Sequence, residues 1–195
     1  MNDHAGSGLP TAGASRGSPD RRRTPLPTRV DELPPLPPAY DAALDRGLAD
    51  LGLSLDGAAR EAIATQARLL LAWNAAINLT SITEPAHVAV RHVVDSLSAV
   101  PHVVARGAAL RICDIGSGAG YPGLVIGAAL PDARVVLVES TGKKARFLET
   151  AIVAAGLAGR ISAVAKRAEA LSADVRRGTL EPRSEERRVG KECRL

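Results

Sequence analysis

The chain has 195 residues and a formal net charge of +4, and 46% of its residues are hydrophobic but only 2% are aromatic. This length fits one domain with a continuous core, and the aliphatic composition suits helices packed on a parallel sheet while disfavouring an all-β sandwich. The two cysteines, Cys113 and Cys193, have no metal-ligand spacing and indicate no disulfide framework, so we expect no metal and a reducing compartment.

The positive charge lies mainly near the end of the chain, where residues 176–195 carry seven basic and four acidic residues. The rest is nearly neutral, so the net charge gives little support to a nucleic-acid partner. The sequence contains no apolar stretch approaching the roughly 18 residues of a membrane span, and none follows the N-terminal charges as in a secretion signal. We therefore expect a cytoplasmic protein without a membrane partner.

Residues 1–38 mix Gly, Ser, Pro and Arg without periodicity and include the proline-rich run Pro34–Pro38. Such a segment buries too little apolar area to fold, so residues 1–38 are predicted to form a disordered N-terminal extension. Its cluster Arg21–Arg23 could contact phosphate, although a solvated tail is the favoured interpretation.

A helical segment is predicted over residues 39–101. Apolar residues recur at helical spacing over Ala42–Leu53 and Ala58–Leu79, which predicts two helices with one buried stripe each. A third helix is predicted to begin near Pro85, since proline is tolerated in a first turn, and to end before Pro101.

From residue 102 to residue 175, β-rich runs alternate with helical ones. The predicted strands are Leu110–Ile115, Val135–Glu139 and Ile161–Ala165, with one helix ending at Leu130 and another beginning at Lys143. This alternation predicts an α/β fold with a parallel sheet. Right-handed crossovers bring the loops that follow the strands to one edge, where a ligand would bind.

A glycine-rich loop leaves the first strand. It runs from Asp114 to Gly120 in the pattern Asp-x-Gly-x-Gly-x-Gly, and Tyr121-Pro122-Gly123 follows at the start of a helix. Glycines let the backbone approach a ligand closely, and the helix N-terminus favours a carboxylate or phosphate. A dinucleotide site has the pattern Gly-x-Gly-x-x-Gly, whereas here the third glycine comes one residue early. The pattern is similar to the motif with which methyltransferases hold the methionine part of S-adenosylmethionine. A glycine turn that serves only packing is the alternative.

Glu139 ends the second predicted strand at the expected distance downstream of this loop. A carboxylate there can accept hydrogen bonds from both ribose hydroxyls of a nucleoside cofactor, whether NAD or S-adenosylmethionine. An ordinary acid at the end of a strand is the alternative interpretation.

Further segments, taken together with the loop, are similar to one family. They are Trp73-Asn74, Asn78-Leu79-Thr80-Ser81, Arg91-His92, Asp95-Ser96, Glu139-Ser140, Lys143-Lys144 and Phe147-Leu148. Over residues 45–175 the chain resembles the ribosomal small-subunit methyltransferase G family, also called glucose-inhibited division protein B. The resemblance implies a three-layer Rossmann-like methyltransferase fold, incomplete here and preceded by N-terminal helices. It further implies methyl transfer from S-adenosylmethionine to N7 of one guanine in 16S rRNA.

The resemblance also implies the site residues. The family's cofactor-contacting positions fall on Gly116, Tyr121, Ala168 and Glu169, and Glu139 joins them as the ribose-binding acid. Tyr121 is often another apolar residue in relatives, and its ring can still cover the cofactor. Ala168 and Glu169 can meet the adenine amino group, with a plain helix start as the alternative.

The implied chemistry needs little from the protein. N7 of guanine carries a lone pair and no proton, so we expect no catalytic residue, only positioning and exclusion of water. The implied partner is 16S rRNA in the small ribosomal subunit, and the complete protein is expected to be a monomer.

Two charged groups remain open to interpretation. Arg91, His92 and Asp95 lie within about one helical turn, where a hydrogen-bond network on a helix face is the favoured interpretation and rRNA contact by Arg91 and His92 the alternative. A second group, Lys143-Lys144 with Arg146, opens a helix, where cations oppose the dipole. Phosphate contact and a solvated face are equally compatible with it.

After Glu169 the sequence departs from the family. Relatives continue with a strand carrying Ser/Thr-Ala-Arg-Ala and with further strands and helices, none of which follows here. We expect a truncated or frame-disrupted version whose last dozen residues are foreign to the fold, with residues 176–195 an atypical, disordered tail. A NAD-dependent oxidoreductase and a non-catalytic rRNA-binding fragment remain the competing interpretations.

Overall fold

The computed structural model describes residues 26–107 and 110–170, so the predicted tail at 176–195 lies outside the described residues. In chain order the elements are α1 (Pro38–Leu51), α2 (Gly57–Ile77), α3 (Pro85–Val88), a π-helical turn (Ala89–Val94), α4 (Asp95–Leu97), α5 (Val100–Val104), β1 (Arg111–Ile115), α6 (Gly123–Ala129), β2 (Arg134–Glu139), α7 (Gly142–Ala154) and β3 (Ile161–Ala165). The predicted α/β fold, with helices before a parallel sheet, is confirmed. None of the described helices is long and apolar enough to cross a membrane.

The three strands form a parallel sheet in the order β1-β2-β3. Parallel strands in this order are joined by α6 and α7, whose side chains form one core with Val135, Leu137 and Ile161 on one face of the sheet. The opposite face carries Cys113 and Ile115, and Ile115 is 60% exposed. Within the described residues the sheet is therefore covered on one face, with α2 packed across α6 and α7.

The ends of the helices follow local rules. Asp56 precedes α2 and its carboxylate accepts a hydrogen bond from the backbone N–H of Ala59 at 2.7 Å, which satisfies a donor that the helix leaves unpaired. At the other end of α2, Asn78 adopts a left-handed conformation with φ 48°. Pro38 starts α1 four residues earlier than predicted, because proline fits the first turn of a helix.

The segment before α1 differs from the predicted disorder. Residues 1–25 lie outside the described residues, but residues 26–37 run irregularly along α2, where Leu26, Leu33 and Leu36 contact the core. The indole Nε1 of Trp73 donates a hydrogen bond to the carbonyl of Pro27 at 2.7 Å. The sequence pattern missed this packing because the partners of the segment are supplied by α2 and not by its own periodicity.

Arg68 of α2 makes the largest polar contribution to this packing. Its guanidinium donates hydrogen bonds to the carbonyls of Val30 at 2.7 Å, Pro34 at 3.0 Å and Leu33. We expect Arg68→Met, which keeps the aliphatic stem, to lower the free energy of unfolding by about 2 kcal/mol, since it removes charged donors from these carbonyls. Urea denaturation measures this, with Arg46→Met on the exposed face of α1 as the matched control. Equal midpoints for the two variants would contradict the prediction.

Candidate functional site

The glycine loop between β1 and α6 is anchored to the end of β2. The backbone N–H groups of Gly116 and Ser117 both donate to the carbonyl of Val138, at 2.8 and 3.1 Å. Gly116 has φ 82°, a left-handed conformation that favours glycine. A Cβ atom at Gly116 would meet no atom within 4 Å, so the loop leaves open space beside this backbone.

Asp114 holds the loop to the helix that follows it. Its Oδ2 accepts a hydrogen bond from the backbone N–H of Gly123 at 3.0 Å, at the start of α6. Burial raises the pKa of Asp114, and the hydrogen bonds from Gly123 and Ser117 partly offset this. The acid that precedes the glycines thus fixes the shape of the loop.

Glu139 connects the loop to the start of α7. It is 7% exposed, its Oε2 accepts from the backbone N–H of Gly118 at 3.0 Å, and its Oε1 accepts from the backbone N–H of Thr141 at 2.7 Å. Burial raises its pKa, but the hydrogen bonds from Thr141 and Gly118 and the charge of Lys144 together bring the pKa below its ordinary value. Each carboxylate oxygen keeps lone-pair capacity for a further donor, such as a ribose hydroxyl.

A cavity of about 210 Å³ opens at the edge of the sheet beside this loop; we call it the strand-edge cavity. It is lined by Ile115, Gly116, Val138, Ser140, Lys166, Arg167, Ala168 and Glu169. The structure thereby brings Gly116, Ala168 and Glu169 of the predicted site together. Glu139 lies between two of the lining residues on the chain. The carboxyl ends of parallel strands are where open α/β sheets bind ligands.

Tyr121 lies elsewhere. Its hydroxyl donates to Oε1 of Gln66 at 2.8 Å, and its ring stacks on the ring of His92 with centroids 4.6 Å apart. Burial raises the pKa of the Tyr121 hydroxyl. The ring therefore faces the N-terminal helices and not the strand-edge cavity, because the buried amide of Gln66 takes its hydroxyl as a partner. Contact between Tyr121 and the cofactor stays a prediction.

A second cavity, of about 340 Å³, lies on the helical side of the loop; we call it the helix-side cavity. It is lined by Arg91, His92, Asp95, Ser96, Ser98, Ala99, Tyr121 and Pro122. Arg91, His92 and Asp95 thus face one cavity, but among the described residues no hydrogen bond joins their side chains. His92 pairs instead with Thr80, whose Oγ1 lies 2.8 Å from its Nε2.

Gln66 was not singled out by the sequence, although it connects α2 to the glycine loop. Besides its contact with Tyr121, its Nε2 donates to the carbonyl of Ala119 at 2.8 Å, and the side chain is fully buried. The sequence feature that could have revealed Gln66 is a polar residue on the apolar stripe of α2, three positions after Ile63 and four before Leu70. A buried amide in that position needs partners from another element.

Asn74 and Thr80 stabilise the turn after α2, which contains one of the segments that resemble the family. The side chain of Asn74 accepts hydrogen bonds from the backbone N–H groups of Leu79 at 2.7 Å and Thr80 at 2.8 Å, and it donates to the carbonyl of Thr80 at 2.9 Å. Since Thr80 then contacts His92, the turn after α2 positions one wall of the helix-side cavity.

The basic group at the start of α7 lies partly at the protein surface. Lys143 and Arg146 are exposed, while Lys144 lies near enough to Glu139 to lower its pKa. Phosphate contact by this group stays a prediction.

In residues 26–107 and 110–170, no group of three or more His, Cys, Asp or Glu side chains could hold a metal ion.

His92 gives a pH-dependent prediction. Burial lowers its pKa, against the opposing effects of a backbone hydrogen bond at Arg91 and the charge of Asp95. His92 is therefore protonated at a higher pH in the unfolded chain than in the folded one. The free energy of unfolding is highest above about pH 6.5, the ordinary pKa of histidine, and it decreases as the pH falls from there through the folded-state pKa. We expect His92→Gln to show a smaller loss of unfolding free energy than the unmodified chain between pH 7.5 and 5.5 in urea titrations. His102→Gln, at an exposed position of α5, is the control and should leave the loss unchanged.

A parallel α/β sheet with a glycine-rich loop after β1 and a buried acid at the end of β2 is an arrangement typical of nucleoside-cofactor-binding domains. Residues 60–180 match the family model described as rRNA small subunit methyltransferase G. The chain belongs to this family.

Individual relatives agree with the family assignment. Proteins named ribosomal RNA small subunit methyltransferase G from Burkholderia pseudomallei strain 1106a and Burkholderia mallei strain NCTC 10229 are each 41% identical over 151 residues, or 77% of this chain. The match covers 61% and 62% of those proteins, so the chain spans about three fifths of their length. Among solved structures, the C-terminal domain of precorrin-6Y C5,15-methyltransferase from Rhodobacter capsulatus is 23% identical, covering 42% of this chain and 43% of that one with a TM-score of 0.36.

Proposed function

We propose that this chain carries the S-adenosylmethionine-binding part of a 16S rRNA (guanine-N7) methyltransferase. The observation that carries the proposal is Glu139, a buried carboxylate whose two oxygens bind the glycine loop at Gly118 and the start of α7 at Thr141. In a family of rRNA methyltransferases, this acid at the edge of the sheet is suited to hold the ribose of the methyl donor. Nothing in the comparisons favours a NAD-dependent oxidoreductase.

Residues of the strand-edge cavity, together with Glu139 next to two of them on the chain, suit the methyl donor. Gly116 presents backbone without a Cβ to open space, which suits close approach of the methionine part. Glu139 would accept hydrogen bonds from the ribose hydroxyls. Ala168 and Glu169, which follow β3 and line the same cavity, would meet the adenine amino group.

The chemistry follows from the two reactants. When bound, S-adenosylmethionine supplies a methyl group already activated by its sulfonium. That methyl group would pass to the lone pair of guanine N7, the new N–C bond replacing the S–C bond, and no proton would have to be removed beforehand. The chain therefore has to align N7 with the methyl group and exclude water, and no residue acts as a general base.

The partners in this proposal are 16S rRNA and the small ribosomal subunit, which would place the protein in the cytoplasm as a monomer. The Burkholderia relatives are named for methylation of small-subunit rRNA.

The test is methyl transfer by the purified chain to small ribosomal subunits, and separately to protein-free 16S rRNA, that lack N7-methylguanine at the target position. Tritiated S-adenosylmethionine and mass spectrometry of the digested nucleosides measure the product. The proposal expects N7-methylguanosine in the RNA. Binding of 16S rRNA and of S-adenosylmethionine without transfer would favour a non-catalytic fragment, and label in any other nucleoside would contradict the proposal.

A further inference from the structure

Apart from Tyr121, whose contact with the cofactor stays a prediction, the residues of the helix-side cavity have no part in the proposed cofactor site, yet they include charged side chains of both signs. Arg91 and Asp95 lie one helical turn apart on its wall, and both residues are exposed. Neither side chain forms an ion pair or a hydrogen bond with another described residue. The cavity, at about 340 Å³, lies within the range of volumes typical of small-molecule sites.

The backbone beneath this cavity is unusual. Residues Ala89–Val94 form a π-helical turn between α3 and α4, and it carries both Arg91 and His92. Such turns are rare and occur frequently at functional sites. His92 is held from two sides, by Thr80 and by the ring of Tyr121. The wall of the cavity is thus fixed, while Arg91 and Asp95 are left to meet a ligand.

The two cavities flank the same loop. Gly116 lines the strand-edge cavity, and Tyr121 and Pro122 line the helix-side cavity. Because this loop borders both cavities, a methyl donor held along it would lie on the loop's other side from the helix-side cavity, which makes that cavity a candidate place for the methyl acceptor.

We infer that the helix-side cavity receives the acceptor guanine of the RNA, with Asp95 accepting hydrogen bonds from guanine N1–H and the 2-amino group and Arg91 contacting the adjoining phosphate. This inference rests on the proposed function. An ionised carboxylate acts only as a hydrogen-bond acceptor, and guanine offers two donors side by side on this edge. Adenine presents an acceptor at N1, which would face the carboxylate unfavourably. Holding the N1 edge leaves N7 free for the methyl group.

The test is a change of base preference on Asp95→Asn. An asparagine amide offers one acceptor and one donor, which matches the 6-amino group and N1 of adenine instead of the guanine edge. The probes are fluorescein-labelled single-stranded heptaribonucleotides, UUUGUUU and UUUAUUU, titrated by fluorescence anisotropy with and without saturating S-adenosylhomocysteine. The unmodified chain should bind the guanine probe at least about tenfold more tightly, since a good bidentate contact discriminates bases by this order.

The expected result is that Asp95→Asn abolishes or reverses this preference, whereas Asp50→Asn, at an exposed position of α1, leaves it unchanged. Arg91→Gln should weaken binding of both probes about equally and reduce the salt dependence, as loss of a phosphate contact does. Equal binding of the two probes by the unmodified chain, or an unchanged preference in Asp95→Asn, would overturn the inference.

The inference and the proposed function fail in different ways. Binding of S-adenosylhomocysteine without a guanine preference overturns the guanine site and leaves the cofactor site standing. Absence of S-adenosylhomocysteine binding, with the chain folded by circular dichroism, overturns the proposed function. If the chain prefers the guanine probe even without S-adenosylhomocysteine, and Asp95→Asn loses this preference, the result still supports the guanine site.

Discussion

Replacing Gly123 with alanine is expected to lower the free energy of unfolding by about 3 kcal/mol and to disrupt the glycine loop. A Cβ at this position would lie 2.5 Å from Cδ2 of Leu137 and 2.6 Å from Oδ2 of Asp114. Leu137 is fully buried in the core, and Asp114 is held by its hydrogen bond to the same Gly123 N–H, so neither can move without loss.

Gly142 provides the matched control for this variant. It also begins a helix, α7, but a Cβ there would meet no atom within 4 Å. We expect Gly142→Ala to be neutral or slightly stabilising, because alanine favours the helical state over glycine by up to about 1 kcal/mol. Urea denaturation of the two variants measures the difference, and equal unfolding midpoints would show that the tight contact at Gly123 is not a constraint.

Replacing Glu139 with glutamine is the second large expected effect. The carboxylate accepts from two backbone N–H groups, of Gly118 and Thr141, whereas an amide can accept through one atom only and turns a donor towards the other N–H. We expect a loss of about 1–3 kcal/mol in unfolding free energy. We also expect affinity for S-adenosylhomocysteine to fall at least about tenfold, because charge-assisted bonds to the ribose are lost.

Isothermal titration calorimetry on the folded variant measures this affinity, with Glu149→Gln on the exposed face of α7 as the control. The pKa of Glu139 lies below its ordinary value, so the stability it contributes is present at neutral pH and is lost as the pH falls through that pKa. Glu139→Gln should remove this part of the acid sensitivity. Unchanged affinity and unchanged stability in the variant would contradict the role assigned to Glu139.

The sequence predicted the sheet well because its signals are local. The third strand has the predicted bounds, Ile161–Ala165, and the glycines that shape the loop after β1 are readable one by one. The position of Glu139 could be predicted because parallel strands end at a common edge. Gly116, Ala168 and Glu169 reach the same cavity for that reason.

Contacts between distant elements could not be predicted in this way. The hydroxyl of Tyr121 turns to Gln66, which lies 55 positions earlier, and periodicity shows only that Gln66 lies on a buried stripe. The π-helical turn at Ala89–Val94 is also invisible to periodicity, since its six residues are too few to distinguish it from α-helix. The packing of residues 26–37 depends on donors from Arg68 and Trp73, in another element.

The central claim is that the strand-edge cavity binds S-adenosylmethionine, and the most direct measurement is a calorimetric titration of the purified chain with S-adenosylmethionine and, separately, with NAD⁺. We predict saturable binding of one S-adenosylmethionine per chain and none of NAD⁺. Saturable binding of NAD⁺ by a folded chain that does not bind S-adenosylmethionine would contradict the account.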